Sequence, residues 1–533
     1  MSSEALTFPF EQVVWRPKVS PWAIAATVSM AAFIEILDTT VANVALPYIA
    51  GGLGASYDDS TWVLTSYLAA NAIILPMSGW LAEIIGRKRY FMLSLFVFTT
   101  SSLLCGLAPS LPVLLLFRGV QGIAGGGLQP MAQAILNDAF PPEKRAIAFA
   151  LYGISAVLAP TVGPMLGGWI IDSYSWRWIF FMTLPVVSLA LYLTYRLVED
   201  PPFLRRLKRG GIRVDFIGIS MLVLGIGPLQ VLLDKGQEED WLGSHFITTL
   251  AITAAVCLIT LVIWEWFRKD PIVDVRMFKS FNFAAANLMM FMMGFLLFST
   301  LVLIPEFLQT LMGYTAGLAG LVLSGGGLVL LIMMPITGRL TSKIQARYLI
   351  AAGWLCLAVG LFYSAQQLDL FISFRFAMWL RITQVVGIGF LFVPITAAGY
   401  IGVPPEKGDS VSGMINFVRN IGGSIGTSLA TTLIVRRSQY HQQILVGHVT
   451  PDTPEFRSPL HALSSEIAHS GLRAADAHNQ AIARFYGLVN QQAHVLSYMD
   501  TFWILGVFCS LMFAHAFFLK KNDPGASGGV AAG

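Results

Sequence analysis

Long apolar stretches separated by short polar breaks run through this chain, near 22–49, 61–82, 90–108, 112–136, 146–171, 177–196, 215–234, 246–267, 283–305, 315–338, 347–366, 374–400, 409–435 and 497–519. A helix needs about 20 mostly apolar residues to cross a bilayer, so each stretch predicts one membrane span and the chain is expected to be an all-α membrane protein with fourteen of them. The first stretch is longer than the apolar core of a signal peptide and carries Glu35 and Asp38 within it. It is therefore predicted to be a retained span, not a cleaved leader.

Composition agrees with the pattern. The 533 residues are 55% hydrophobic and 12% charged, with mean hydropathy +0.67, whereas a soluble domain carries about 25% charged residues. A net charge of +4 is too small to suggest nucleic acid as a partner. The basic residues matter by position. With the N-terminus inside, the inner connections and tails collect Arg16, Lys18, Arg87, Lys88, Arg89, Lys144, Arg145, the cluster Arg196 to Arg213, Arg268, Lys269, Arg339, Lys343, Lys407, Lys520 and Lys521. The short outer loops hold only Arg177 and Lys235. This asymmetry places both termini in the cytoplasm. Cys105, Cys257, Cys356 and Cys509 are far apart and have no metal-ligand or redox spacing, so they read as small buried hydrophobes.

One outer connection is long, from about Arg436 to Leu496. Its second half, 459–495, has spaced apolar residues that suggest one or two amphipathic helices. His441, His448, His461, His469, His478 and His494 lie in or beside it without a standard metal spacing, which favours a solvated surface over metal binding or pH sensing.

Chemistry concentrates in a few motifs. Gly79-x-x-x-Glu83-x-x-Gly86-Arg87-Lys88-Arg89 joins two spans on the inner side, with glycines for close helix approach and a basic cluster as topogenic signal. Asp38 lies mid-span, followed by Thr39, Thr40 and Asn43. A carboxylate at that depth faces a cavity or a partner, so Asp38 is either a proton-coupling group or a hydrogen-bonded structural one. Glu35, three residues earlier and on much the same helix face, is either a second titrating group or internal support. Arg118, in Arg118-Gly119-Val120-Gln121-Gly122, stays charged and needs a partner. It either tunes a first-helix carboxylate or anchors packing, with Gly119 and Gly122 making room. Gly153, Gly163, Pro164, Gly167 and Gly168 stud the fifth span, where they permit close packing and a kink.

The second half carries fewer charges. Arg419, close to Asn416, either lines the substrate path or pins a helix end. Glu306 is either a site for a cationic substrate or a wetted helix end. His515 reads as a hydrogen-bonded core histidine. Met289, Met290, Met292, Met293, Phe291, Phe295 and Phe298 suit an adaptable apolar pocket and equally a lipid-facing surface.

Together, the Gly79 motif, the Arg118 segment, the fifth-span glycines and Leu37-Asp38-Thr39-Thr40 resemble the fourteen-helix drug:proton antiporters of the EmrB/QacA branch of the major facilitator superfamily. Trp62 to Tyr67, Trp176 to Phe181, Leu233 to Trp241, Pro271 to Asp274, Phe278 to Ser280 and the long penultimate connection resemble its EmrB type. The resemblance spans about 15–519. It implies the major facilitator fold, with two six-helix halves and two inserted helices. The expected division is a cytoplasmic segment 1–21, a first half 22–197, a linker with two extra spans 198–268, a second half 269–519 including a periplasmic loop 437–496, and a cytoplasmic tail 520–533. Gly338-Arg339-Leu340, a weak echo of the Gly79 motif, fits two related halves.

The resemblance further implies a bacterial inner-membrane exporter, not an enzyme, that exchanges protons for lipophilic drugs without a cofactor or metal. Its partners would be a periplasmic adaptor of EmrA type and an outer-membrane channel of TolC type. Asp38 would couple protons, Arg118 would relay charge, and the Gly79 motif would gate the conformational switch with Arg87 as cytoplasmic latch. Asn43, Gln121, Glu306, Asn416 and Arg419 are candidates for the substrate path. Two residues depart from the family pattern: Glu83 stands where Asp is usual, and Glu35 where an uncharged residue is usual. Proton-coupled movement of a specific metabolite, such as a siderophore or lipid, is the second reading. A membrane enzyme or sensor is the third, and no phosphate-binding loop or nucleophile–base pair supports it.

Overall fold

A lipid bilayer offers the backbone no hydrogen-bond partner, so long apolar segments close their own bonds as helices. The computed structural model describes residues 17–201, 214–404, 407–448, 454–469 and 473–519, and these are helical almost throughout. The first bundle contains α1 (Pro21–Leu53), α2 (Tyr57–Ile85), α3 (Arg87–Leu107), α4 (Leu111–Ala139), α5 (Pro142–Ser173), a single turn α6 (Trp178–Phe181) and α7 (Thr183–Leu197). Two inserted helices follow, α8 (Phe216–Lys235) and α9 (His245–Phe267). The second bundle contains α10 (Phe281–Thr310), α11 (Ala316–Thr341), α12 (Ala346–Gln367), α13 (Phe374–Gly399), α14 (Gly408–His448), α15 (Pro454–His469) and α16 (Ala474–His515). Arg16, the basic cluster from Arg205 to Arg213, Lys520, Lys521, most of segment 1–21 and the tail 520–533 lie outside the described residues.

Local chemistry sets the boundaries. Ser56, Asp215, Thr315 and Ser373 cap α2, α8, α11 and α13 by accepting the N–H three residues on, and Gly54 ends α1 in the left-handed conformation. Gly86 joins α2 to α3 at φ 94°, a backbone state that glycine adopts without strain. In the first bundle α1 packs on α5 and α2 on α4; in the second α10 packs on α14 and α12 on α13. The bundles meet along α2–α14 and α5–α11.

Thirteen helices among the described residues are long and apolar enough to cross a membrane, the sixth as the joined α6–α7. The span predicted at 409–435 falls short on hydropathy because α14 carries Asp409, Asn416, Arg419 and Asn420. It nevertheless lies inside the molecule, between α2, α10 and α16. Its polar residues meet polar partners there instead of lipid.

The predicted loop at 437–496 is mostly helix, which corrects the expected span ends at 435 and 497. Helix α14 runs on to His448, α15 adds a hairpin arm, and α16 begins at Ala474. At 41 and 42 residues, α14 and α16 are each roughly 60 Å long, about twice the hydrocarbon thickness. Arg437 and His441 both reach Asp500, and Ser438 contacts His494, so the two extensions are tied together. A small core of Leu460, Ile467, Ala477 and Ala481 seats α15 on α16.

The inserted pair lies beside the bundles. Along α9, Ile252, Val256, Ile259 and Ile263 are exposed, as lipid-facing positions should be. Helix α8 lies across the α2–α14 seam. It is fixed to α2 by hydrogen bonds from Thr65 to Asp234 and from Lys235 to Thr61, and to α14 by Gln230 and Ser424 at 2.9 Å.

Candidate functional site

Asp38 of α1 and Arg118 of α4 meet in the interior of the first bundle, 3% and 0% exposed. Arg118 Nη1 lies 2.5 Å from Asp38 Oδ2, and Gln121 Nε2 donates to Asp38 Oδ1 at 3.2 Å. Gln121 Oε1 accepts from Arg118 Nη1 at 2.8 Å, and Arg118 Nε donates to the Val63 carbonyl at 3.2 Å. Both carboxylate oxygens therefore have donors, and the guanidinium is held by its ion pair and by a carbonyl. These bonds offset much of the pair's desolvation, while Arg118 Nη2 is left buried without a hydrogen-bond partner. Gly122 lets α4 approach the Tyr67 carbonyl of α2, whereas Gly119 faces open space and makes no room for Arg118. Gly163 and Gly167 of α5 press against Thr40 and Val41, one turn from Asp38.

Glu35 forms a second cluster one turn away. Its Oε1 accepts from Tyr67 Oη at 2.9 Å and Asn71 Nδ2 at 3.0 Å, and its Oε2 accepts from Gln129 Nε2 at 2.5 Å. Tyr67 joins the clusters, because its ring lies 4.4 Å beneath the Arg118 guanidinium while its hydroxyl binds Glu35. Gln129 Oε1 accepts from Arg419 of α14 and from Tyr152 Oη at 3.2 Å. Asn416, one turn from Arg419, donates to Gln133 Oε1 at 2.9 Å. A continuous polar path thus leads from Glu35 through Gln129 to Arg419, from the first bundle to the second. It passes through the middle of the molecule, where both halves contribute side chains.

The Gly79 motif closes the end predicted to be cytoplasmic. Arg87 pairs with Asp138 of α4 and, at 2.6 Å, with Asp409 of α14; all three side chains are nearly fully buried. The pairing crosses from one bundle to the other. A side chain added at Gly79 would meet Ser410 Cα at 2.8 Å, and one added at Gly413 would meet Ser78 Oγ at 2.7 Å, so α2 and α14 touch nearly backbone to backbone. Glu83 and Arg89 are exposed at the same end. Nearby, Lys407 and Arg276 bind Asp274 at 2.5 and 3.2 Å. Burial opposes ionisation of Asp274, but these two cations outweigh it and hold the carboxyl below its usual range.

Other predicted positions fall elsewhere. Asn43 is exposed and away from both clusters. Glu306 is half-buried near the far end of α10, with its Oε2 unbonded. Gly153 faces Phe392 and Met334 of the second bundle; Gly168 faces open space; Pro164 lies near Gly320 of α11. His515, expected to be hydrogen-bonded, has no partner for Nε2 and instead lies 5.8 Å from the Phe518 ring. No group of His, Cys, Asp or Glu among the described residues is arranged to hold a metal ion.

Sequence reasoning missed Tyr67, Asn71, Gln129, Gln133, Tyr152, Asp138 and Asp409. Some signals were present. Gln129 and Gln133 are four apart in an apolar run and so share a face. Pro141-Pro142-Glu143-Lys144 recurs as Pro404-Pro405-Glu406-Lys407, placing Asp409 at a helix start equivalent to that of α5.

Two helical bundles meeting at a polar centre, with a latch at one end, define a membrane carrier. The chain belongs to the Major Facilitator Superfamily, whose family model matches residues 28–427, and within it to the EmrB-type drug transporters. It is 36% identical over 504 residues to the multidrug export protein EmrB of Escherichia coli K12, covering 94% of this chain and 96% of that one. It is 35% identical over 485 residues to the fatty acid resistance protein FarB of Neisseria gonorrhoeae, covering 90% and 92%. The solved structure of the proton:xylose symporter XylE has the same fold, at a TM-score of 0.59 and 12% identity over 95% of this chain and 97% of that one. The protein is a multi-pass membrane transporter and not an enzyme.

Proposed function

We propose that this protein is a proton-coupled exporter of lipophilic small molecules in a bacterial inner membrane, with both termini cytoplasmic. The observation that carries the reading is the enclosed Asp38–Arg118 pair, linked through Tyr67 to Glu35 and from there to Arg419 of the other bundle. A proton arriving on Asp38 removes the charge that Arg118 holds; a proton on Glu35 takes away the negative charge that strengthens its bonds from three donors. Each event weakens the polar contacts at the centre, and the Glu35 event also alters the bridge between halves. Release of the Arg87–Asp409 latch then lets the cytoplasmic end open. Asn416 and Arg419 line the path, with Gln121 supporting Asp38. The proton gradient supplies the energy without a cofactor.

The names of the EmrB relatives, multidrug export proteins, support drugs as cargo. By the same likeness, the protein works with a periplasmic adaptor of EmrA type and a TolC-type channel. The name of FarB favours a second reading, export of a lipid acid. Uptake into inside-out vesicles under an imposed pH gradient tests the proposal, with lipophilic cations and fatty acids compared side by side. Accumulation that collapses with the gradient supports it. Accumulation indifferent to the gradient removes proton coupling.

A further inference from the structure

Gly338-Arg339-Leu340, the echo of the Gly79 motif, has no part in the gate described above. Its backbone setting is similar. A side chain added at Gly338 would meet the Ala146 carbonyl at 3.1 Å, so α11 lies close against α5. Ser342 donates to the Glu143 carbonyl at 3.1 Å, which fixes the connection after α11 to the start of α5. The cations differ. In the first bundle Arg87 has Asp138 and Asp409, and Lys88 donates to the Tyr195 carbonyl at 2.8 Å. In the second, Arg339, Lys343 and Arg347 form no ion pair among the described residues. No Asp or Glu occurs anywhere from 307 to 368. The adjoining start of α5 brings Glu143, exposed, but Lys144 and Arg145 follow it directly. This surface therefore keeps a clear excess of positive charge.

The cations border an apolar face. Ile332, Ile336 and Arg339 recur at helical spacing on one side of α11, and all three are exposed. Ile344 and Tyr348 are exposed beyond them, and a tyrosine in that position suits the headgroup level of a bilayer. Lys343 is exposed, and Arg347 is half-buried. Arg347 Nη2 donates to Tyr348 Oη at 2.9 Å, and its guanidinium lies 4.7 Å from the Tyr348 ring. Its Nε is buried without a hydrogen-bond partner. Arg347 is also the second residue of α12, where the free first-turn N–H groups add to the positive potential.

We propose that the α11–α12 connection is a seat for an anionic phospholipid, with the phosphate on Lys343 and Arg347 and the acyl chains along Ile332 and Ile336. A topogenic signal needs only positive charge in the connection. An apolar stripe that ends in cations, an enclosed guanidinium N–H and the lack of a local acid are what a headgroup seat needs. The proposal does not depend on the cargo or on proton coupling. The full chain, delipidated in a nonionic detergent, is titrated with phosphatidylglycerol or phosphatidylcholine of identical chains, and bound lipid is counted by native mass spectrometry. The first phosphatidylglycerol binds at least about fivefold more tightly than phosphatidylcholine. Lys343→Gln with Arg347→Gln loses at least about fivefold of that affinity, whereas Lys269→Gln with Lys279→Gln, in the connection after α9, changes it by less than about twofold. Equal affinity for the two lipids overturns the proposal. So does an equal loss in both double variants, which would mean that only overall charge matters. Should the Arg347→Gln variant not fold, Arg339→Gln with Lys343→Gln decides, because both side chains are exposed. A several-fold loss there supports the seat, and an unchanged affinity overturns it. Soluble glycerol phosphate should fail to displace the bound lipid. Displacement at equal concentration would show that the apolar stripe contributes nothing, and would overturn a lipid seat in favour of a free phosphate site.

Discussion

Asp38 is held by two donors and Arg118 by a carboxylate, a carbonyl and an aromatic face, so each depends on the other. Breaking such a buried pair from one side typically costs about 3–5 kcal/mol. Asp38→Asn keeps the shape and an acceptor for Arg118 but cannot carry a proton. It is expected to insert normally and to lose gradient-driven uptake; uptake with wild-type dependence on the pH gradient would exclude Asp38 as the coupling group. Arg118→Ala should be worse than Arg118→Lys, and Arg118→Ala should move the midpoint of the pH–rate profile upward, because the fixed positive charge that opposes protonation nearby is gone, whereas lysine keeps it. An unmoved or lowered midpoint would leave Arg118 as a packing anchor. Gln129→Leu severs the bridge between Glu35 and Arg419 and should slow transport several-fold. Combined with Glu35→Gln, it should add little, since both act on one network; additive losses in initial rate would separate them. Asp38, Glu35 and Arg118 were legible in the sequence because charge inside an apolar run is expensive and stands out. Gln129, Gln133, Tyr67 and Tyr152 were not, because amides and phenols cost less there and their role depends on which helix faces which.

Among the elements, α2 and α14 make the contact on which gating depends. Gly79 and Gly413 allow it, and Arg87 with Asp138 and Asp409 fastens it. Gly79→Val should force the helices apart at that end. Spin labels at Arg89→Cys and Lys343→Cys would then show a longer distance, with transport reduced about tenfold, equivalent to roughly 1.4 kcal/mol. An unchanged distance distribution with normal transport would remove the gate. The sequence placed the Gly79 motif at this end but could not name its partner on α14, because that contact lies between residues more than 300 positions apart. It also ended α14 too early. Hydropathy drops after Val435, yet helical bonding continues to His448, since polar residues such as Gln442 and Gln443 still favour helix.

For the whole molecule, the joined extensions of α14, α15 and α16 are the part that leaves the bundle. A cysteine at half-buried Ser464 of α15 should react with a membrane-impermeant thiol reagent added outside spheroplasts; reaction only after lysis would reverse the topology. Replacing about 450–490 with a short Gly/Ser linker should spare vesicle transport but lower whole-cell resistance, if the hairpin receives the adaptor. Unchanged adaptor crosslinking after the deletion would remove that role.

Helix α14 carries Asp409 at one end, Arg419 about a quarter of the way along and Arg437 beyond the slab, with no proline between them. Mechanically it is a lever arm with its fulcrum in the bundle. Over the roughly 45 Å from Arg419 to the far end, a tilt of about 10° would swing that end by about 8 Å. The hairpin would then act as a pointer, showing a partner outside the membrane whether the inner door is shut before any cargo reaches it.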